Sequence, residues 1–454
     1  MKYILGISKS IMLKFGVNRA IGYGISTRIW GALAGPLTII LIATSFSKVE
    51  QGYYYTFSSL LALQIFFELG LLTVIAQFAA HEFAYLSWGE NGEIKGSQEH
   101  RDRCIDLLGK GFKWYSVSAV LLILILIPAG IYFFSSSTSN EVDFTWRLPW
   151  ALAVIGVACN LLLIPFYAVI SGSGDVASIN QREMIGGIVG SVIGWIVIAS
   201  GGGLYAIPAV TTGSIFIGIV YLFVSKPCLV KTTLYQAFHS KKLNHSISWW
   251  GEVWPMQWKI ALSWVSGYFI FQLFVPILFK YHGSVVAGQM GMTLSAINAI
   301  QGVSLMWINT RSPEFGKLIA LKKWEVLDAS FTQILKQAVI ICFILVVAVV
   351  IVIMLLQTYT EIGRRFLPVS EVIIFLVAVC GNVFISGWAI YMRAHKQEPM
   401  LLISVIGGLL VGLSTYFLGI KYSSMGMAVG YCFITLSYGI PSTYTCLNKI
   451  KSFH

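Results

Sequence analysis

A run of nineteen consecutive apolar residues fills positions 338–356 of the chain, with the sequence AVIICFILVVAVVIVIMLL. A helix needs about 20 such residues to cross the hydrocarbon core of a bilayer. The run lacks the alternation of apolar and polar residues that marks a strand of a transmembrane β-barrel. This segment therefore predicts a membrane-spanning α-helix.

Similar runs recur along the chain, which has 454 residues, 57% of them hydrophobic and 11% charged. Soluble domains carry roughly 25% charged residues, so the composition excludes an ordinary soluble enzyme. We predict an all-α polytopic membrane protein with twelve transmembrane helices. They are placed near residues 20 to 45, 53 to 80, 112 to 134, 148 to 170, 183 to 200, 204 to 225, 258 to 280, 286 to 310, 333 to 356, 367 to 392, 399 to 420 and 425 to 446.

The basic residues predict the orientation, because Lys and Arg are retained on the cytoplasmic side during insertion. Of the 31 Lys and Arg residues, 24 lie in the two terminal segments and the even-numbered joins, and six lie in or beside the other joins. Both termini are therefore expected in the cytoplasm, and the first 19 residues read as an uncleaved signal anchor. The net charge of +12 therefore mainly reflects the topology, and attraction to anionic lipids is a secondary interpretation. The charge does not require a nucleic-acid partner.

An internal repeat divides the chain into two bundles of six helices. Residues 55–64 (YTFSSLLALQ) align with residues 292–301 (MTLSAINAIQ) at an offset of 237, and Thr, Ser, Ala and Gln coincide. Halves with an even number of spans share one topology, so we expect a pseudo-two-fold axis along the membrane normal. The predicted division is an N-terminal bundle over 1–225, a cytoplasmic linker with an interfacial Trp-rich segment over 226–257, and a C-terminal bundle over 258–454.

Two ionisable residues stand well inside predicted spans, where burial of charge is costly and usually functional. Arg28 and Glu68 differ in depth by roughly 5 Å in consecutive spans, so they are expected within reach of each other. Glu68 either neutralises Arg28 or carries a coupling proton or sodium ion. Arg28 keeps its charge and binds phosphate oxygens in a bidentate manner. Four further cations near the cytoplasmic mouth either add to a vestibule or extend to the headgroups: Arg182, Lys259, Arg311 and Arg393.

No metal or cofactor site is predicted. The seven cysteines show no paired spacing, and His81-Glu82 is not followed by a second His at the spacing of a zinc helix. No nucleotide-binding motif is present, which disfavours an ATP-driven pump.

Several short motifs, taken in order, carry a family resemblance. They are Arg28 with Ala34-Gly35-Pro36, Glu50-Gln51-Gly52-Tyr53-Tyr54, Glu68-Leu69-Gly70-Leu71, Ala287-Gly288-Gln289, and Trp307 through Pro313. With these the chain resembles the polysaccharide transporters of the multidrug/oligosaccharidyl-lipid/polysaccharide exporter superfamily, particularly the O-antigen flippases. In one respect it departs from them, since such cavities are expected to hold several cations and this chain shows one clear intramembrane Arg.

The resemblance implies a transporter, not an enzyme, that moves a polyprenyl-diphosphate-linked oligosaccharide across the bacterial inner membrane by alternating access. Its partners would be that substrate, membrane lipids and proteins of polysaccharide assembly, as in O-antigen and lipopolysaccharide synthesis. Arg28 would hold the diphosphate, and Gln64, Asn298 and Gln301 would contact sugar.

Two alternative functions were weighed, one a second kind of transporter and the other a membrane enzyme. A cation-coupled multidrug exporter of the same superfamily would use Glu68 as its coupling carboxylate. A membrane glycosyltransferase or polysaccharide polymerase normally needs a sizeable outer loop with acidic or Arg residues, and the longest predicted outer loop has about 13 residues.

The predicted orientation gives a direct test. We expect both termini and the loops around Lys95, Lys241 and Lys322 on the cytoplasmic side, because 24 of the Lys and Arg residues lie there. Cysteine labelling or reporter fusions at each loop measure this. A Lys241 loop on the outer face would contradict the twelve-helix topology.

Overall fold

The fold is described by a computed structural model for residues 19–137, 144–239, 243–395 and 400–452. This part of the chain is helical apart from one small antiparallel sheet, which confirms the predicted all-α polytopic fold. Most of the expected signal anchor, residues 1–18, and Lys241 lie outside the described residues. We call the end of the bundle predicted to face the cytoplasm the inner end, and the opposite end the outer end.

The first half consists of helices and one hairpin. The helices are α1 (Arg19–Ser45), α2 (Lys48–Leu61), α3 (Ile65–Glu68), α4 (Leu71–Glu82), α5 (Gln98–Ser137), α6 (Arg147–Gly172), α7 (Val176–Ala199) and α8 (Ala206–Ser225). The hairpin, which was not predicted from the sequence, pairs β1 (Leu86–Trp88) with β2 (Ile94–Gly96) between α4 and α5. Single 3-10 turns lie at Ala62–Gln64 and Gly203–Tyr205.

The rest of the chain continues with helices. They are α9 (Pro227–His239), α10 (Trp254–Phe271), α11 (Phe274–His282), α12 (Ser284–Ala320), α13 (Trp324–Tyr359), α14 (Val369–Ala394), α15 (Leu401–Ile434) and α16 (Ile440–Lys451). A π-helical turn, Trp249–Val253, leads directly into α10. The Trp-rich segment is therefore the start of the seventh span, and the predicted boundary at residue 257 falls inside that helix.

Nine helices in the described residues are long and apolar enough to cross a membrane, and eleven spans result if each of two bent pairs is one span. The last of the nine, Leu401–Lys451, has 51 residues, about 75 Å of helix, which is far more than the roughly 30 Å of hydrocarbon. Non-helical backbone at Ser423 (φ 56°, ψ −145°) interrupts it. Gly430 then lies against Ser414, so the chain folds back on itself and supplies the two predicted spans near 399 to 420 and 425 to 446.

The second span is bent, although its sequence predicts one helix over 53 to 80. Leu69 (φ 50°) and Gly70 (φ 67°) adopt left-handed backbone after Glu68, and the two parts meet at a 45° bend. Gly70 suits this conformation because it has no Cβ. A Cβ there would also overlap the side chain of Ile260 in α10, so the glycine permits a close approach between the halves.

The two halves meet at the outer end where α2 crosses α12. A Cβ on Gly52 would overlap the backbone carbonyl of Ser284, and one on Gly288 would lie 2.9 Å from the backbone nitrogen of Gly52. The Gln51 side-chain nitrogen donates a hydrogen bond to the Gly288 carbonyl at 2.9 Å. Residues 51 and 288 are separated by the repeat offset of 237, and equivalent positions touch only near the axis that relates them. The contact therefore supports the predicted pseudo-two-fold axis.

Aromatic side chains close the outer end around Tyr53, which is fully buried. Its ring stacks on Phe134 of α5 at 5.2 Å and meets the edge of Phe279 of α11 at 4.9 Å between centroids. These rings join the first half to the second.

The crossing predicts that Gly52→Ala lowers thermal stability. The added methyl must displace the Ser284 backbone, and overpacking of this kind costs about 1–3 kcal/mol. A thermal unfolding curve of the purified protein measures the loss. Gly187→Ala on α7 is the matched control, since its Cβ would meet nothing within 4 Å. Equal unfolding temperatures for the two variants would contradict the close crossing.

Candidate substrate-binding cavity

The inner part of α12 faces an open space between the two halves. On the outer part of this helix, one face packs against α2 through Ser284, Gly288 and Gly291. Asn298 lies seven residues after Gly291, and Gly302 lies four residues after Asn298, so both continue the same face of the helix. Both are exposed. A Cβ on Gly302 would meet nothing within 4 Å. The halves thus touch at one end of the face and separate at the other, which leaves a cavity between them.

The face of α1 that carries Arg28 borders the same cavity. α1 packs against α7 and α12. Arg28, Gly31 and Gly35 share a face, and a Cβ on either glycine would meet nothing within 4 Å. The exposed large apolar residues lie on a roughly opposite, lipid-facing side: Ile29, Leu33, Leu37 and Ile40. Arg28, which is exposed, therefore faces the cavity.

Arg28 has no ion-pair or hydrogen-bond partner among the described residues. A guanidinium keeps its charge, and charge at membrane depth is tolerated where it faces a water-filled cavity. Arg28 is thus a fixed positive charge available to an anion.

A pocket of about 400 Å³ with polar and apolar lining residues lies near Arg28 at the inner end, between α1, α12 and α13. Its lining residues are Ile25, Met306, Thr310, Arg311, Ser330, Gln333, Ile334 and Gln337. Ile25 is one helical turn from Arg28, so the pocket belongs to the same space. Arg311 brings a second guanidinium, which pairs with Glu314 at 2.7 Å on the surface of α12.

The three amides predicted to contact sugar occupy different settings. Asn298 is exposed on the cavity face of α12, and Gln301 is half-buried one turn further along this helix. Gln64 is half-buried in the 3-10 turn between α2 and α3. None of the three has a hydrogen-bond partner among the described residues. Their donors and acceptors are therefore free for a ligand.

Glu68 and Arg28 are not brought together. Glu68 ends α3, is 7% exposed, and interacts electrostatically with Tyr115 of α5. The hydroxyl of Ser118 in α5 donates a hydrogen bond to the neighbouring Phe67 carbonyl at 3.1 Å. The left-handed break after Glu68 leaves its carboxylate on the α5 side, without a Lys or Arg within 4.0 Å in the part of the chain that is described.

Four other cations were predicted near the cytoplasmic mouth: Arg182, Lys259, Arg311 and Arg393. Of these four, Arg311 alone lines the pocket near Arg28. Arg182 is instead buried in the first half, with its guanidinium 4.1 Å above the Tyr167 ring. Because Arg182 lies inside the bundle, it does not contribute to a vestibule between the halves. Lys259 and Arg393 are exposed, as expected for side chains that extend to the headgroups.

Polar contacts that no local sequence pattern marks join the two halves at the outer end. Arg365 donates to the Gln51 side-chain oxygen at 3.1 Å and to the Phe46 carbonyl at 2.6 Å, and the Gln51 amide donates back to the Arg365 carbonyl at 3.1 Å. Burial lowers the pKa of Arg365 below its usual value, an effect that Glu50 partly opposes. Arginine nonetheless stays protonated in proteins. Within the second half, Gln289 of α12 donates to the Arg364 carbonyl at 2.8 Å. The Gln289 amide thus holds the loop against α12, while the Gln51 amide joins it to the first half.

No protein-family model and no curated protein sequence matches the chain. Among solved structures, the lipid II flippase MurJ in an inward closed conformation has a TM-score of 0.61 with 13% identity, covering 95% of this chain and 90% of that one. An inward-facing multidrug resistance MATE family transporter of the MOP superfamily has a TM-score of 0.54 with 14% identity, covering 93% and 99%. Identities of this size show a shared fold alone. The chain therefore has the fold of transporters of the MOP superfamily.

Proposed function

We propose that the protein flips a polyprenyl-diphosphate-linked oligosaccharide, such as an O-antigen or other surface-polysaccharide repeat unit, across the bacterial inner membrane. The observation that carries the proposal is Arg28, an exposed guanidinium on the cavity face of α1 that has no partner among the residues the structure describes. A cation of this kind needs an anionic ligand, and a diphosphate presents oxygens that suit bidentate binding.

The surroundings of Arg28 fit the remaining parts of such a substrate. Arg311 lies at the inner end of the same space, and the N–H groups that Glu314 does not bind would donate to the second phosphate. The amides of Asn298, Gln301 and Gln64, which have no hydrogen-bond partner in the described part of the chain, would provide donors and acceptors for sugar hydroxyls. The polyprenyl tail would stay in the lipid between the helices.

The closed outer end suggests the direction of loading. Gln51, Arg365 and the crossing at Gly52 hold the two halves together there, so substrate would enter from the inner side. Export would require these contacts to part while the inner ends close, with both termini in the cytoplasm. The MurJ structure is that of a lipid II flippase, which supports a lipid-linked substrate by analogy of fold alone.

A cation-coupled multidrug exporter is the second candidate, because a MATE transporter shares the fold and Glu68 is a buried carboxylate with no cationic partner in the described residues. A carboxylate in that setting is suited to take up and release a proton. The two candidates differ in substrate and in the role of Glu68.

The flippase proposal predicts that Arg28→Ala abolishes export, while Arg28→Lys retains part of it. Each hydrogen bond to a charged group contributes about 1.5–3 kcal/mol, so loss of the guanidinium weakens diphosphate binding at least roughly tenfold. Lysine keeps the charge and loses the bidentate geometry. Complementation of surface-polysaccharide production measures the effect, with protein level in the membrane checked.

Arg147→Ala is the matched control for Arg28→Ala. Arg147 begins α6, and its guanidinium lies over Trp146 outside the cavity. It should leave export unchanged. Full export by Arg28→Ala, at normal abundance, would remove Arg28 from the site and contradict the proposal.

Glu68→Gln should leave stability unchanged or raised, since it removes a buried charge that has no cationic partner in the described residues. Glu82→Gln is the contrasting variant, because Glu82 is equally buried and pairs with Arg103 and His100 at 2.8 and 2.7 Å. Glu82→Gln should lower the free energy of unfolding by about 2 kcal/mol.

Transport of a fluorescent polyprenyl-diphosphate sugar into vesicles distinguishes the flippase from the multidrug exporter. If the Glu68→Gln protein is stable but has lost transport driven by a pH gradient, Glu68 is the coupling carboxylate. If the wild-type protein transports drugs and does not transport the lipid-linked sugar, the multidrug exporter is the correct function.

A further inference from the structure

A cavity of about 350 Å³ lies at the inner end of the first half, apart from the space between the halves. The β1–β2 hairpin, the first two turns of α5, the first two turns of α9 and residues 243–244 form its walls. It shares no lining residue with the pocket near Arg28. Gln98 and Asn244 are exposed at its rim, so the cavity is open to water at the inner end. Cavities of this size bind small molecules.

The hairpin wall of the cavity is held in place by close contacts with the join between α8 and α9. A Cβ on Gly92, in the turn of the hairpin, would lie 2.6 Å from the Cα of Lys226. The Lys226 ammonium lies 3.9 Å from the centroid of the Trp88 ring and 3.7 Å from the Asp175 carboxylate. The cavity is therefore a formed part of the folded first half.

Two neighbouring charged residues of α5, Arg101 and Asp102, line the cavity. Asp102 is 5% exposed and has no hydrogen-bond or ion-pair partner among the described residues. The Arg101 side chain is half-buried, and its Nε is a buried donor that also has no partner there. Consecutive residues of a helix do not face each other, so the two charges do not pair. Each buried polar group therefore requires a partner from within the cavity.

The balance of charge around the cavity favours a ligand that is neutral overall. Glu93 is exposed at the rim and is offset by Lys95 at 3.4 Å. The other two charges that line the cavity, those of Arg101 and Asp102, cancel. A phosphate would bring a second anion close to Asp102, which is unfavourable. None of the described lining residues is aromatic, so a nucleotide base would find no ring to stack on.

We propose that this cavity binds a free amino acid with an apolar side chain. Its ammonium would donate to the Asp102 carboxylate, and its carboxylate would accept from the Arg101 guanidinium. The buried side chains of Ile94 and Leu229, which are 6% and 1% exposed, would contact the apolar side chain. The bound amino acid would join α5 to the hairpin and to α9. This site does not depend on what the protein transports.

Equilibrium dialysis of the purified full-length protein against radiolabelled L-leucine tests the proposal. The wild-type protein should bind one leucine saturably. Isopentylamine and 4-methylpentanoate keep the leucine side chain but lack the carboxylate and the ammonium respectively. Each should compete at least about tenfold more weakly than unlabelled leucine, because one hydrogen-bonded charge is lost.

Asp102→Asn and Arg101→Gln should each weaken leucine binding at least about tenfold, for the same reason. Asp102→Asn removes a buried charge without a partner in the described residues, so the variant should fold, which circular dichroism verifies. Glu99→Gln is the matched control. Glu99 is an exposed carboxylate of α5 that does not line the cavity, so this variant should bind leucine as the wild type does.

Three results would overturn the proposal. The first is an absence of saturable leucine binding by the wild type, or undiminished binding by folded Asp102→Asn and Arg101→Gln. The second is competition by isopentylamine as strong as that by leucine, which would assign the cavity to amines. The third is loss of leucine binding in Arg28→Ala, which would place leucine in the space between the halves; we expect this variant to bind leucine normally.

Discussion

The close crossing of α2 and α12 determines how the two halves are arranged. At Gly52 and Gly288 the backbones approach to a distance that leaves no room for a Cβ, and small residues are what permits such contact between membrane helices. Because the helices touch at the outer end, they diverge towards the inner end. That divergence exposes Asn298 and Gly302, and it leaves Arg28 beside open space.

Three arginines at or near membrane depth illustrate different ways to accommodate a permanent charge. Arg365 is surrounded by oxygen acceptors of Gln51 and Phe46, and Arg182 is covered by the Tyr167 ring. Arg28 has neither arrangement within the described residues. Of these three, Arg28 is the one whose charge no described residue offsets. The surroundings of each arginine therefore distinguish the three better than the presence of a cation near the span does.

The spans could be predicted from sequence because each requires a long apolar run, and such runs are unmistakable in this chain. The left-handed break at Leu69 and Gly70 could not, since apolar periodicity reports which residues face lipid or protein and says little about single backbone angles. For this reason depth alone suggested that Glu68 would meet Arg28, whereas its carboxylate lies beside Tyr115. The seal formed by Gln51 and Arg365 joins residues 314 positions apart, and no local pattern marks it. A signal was present in the offset of 237, which placed residues 51 and 288 in equivalent positions.

The attachment of the seventh span's leading segment to α5 restricts where the molecule can pivot. Asp106 and Lys110 bind the backbone of Ile247 on both sides, and Arg103 binds Glu252 at 2.7 Å. These bonds make the segment up to Val253 part of the first half's rigid body, although it leads into the second half. A swing of the second half that preserves them must flex beyond that point, and the nearest interruption is the 43° bend between α10 and α11. The bonds to α5 therefore assign the pivot of any such swing to this bend and not to the residues that precede Val253.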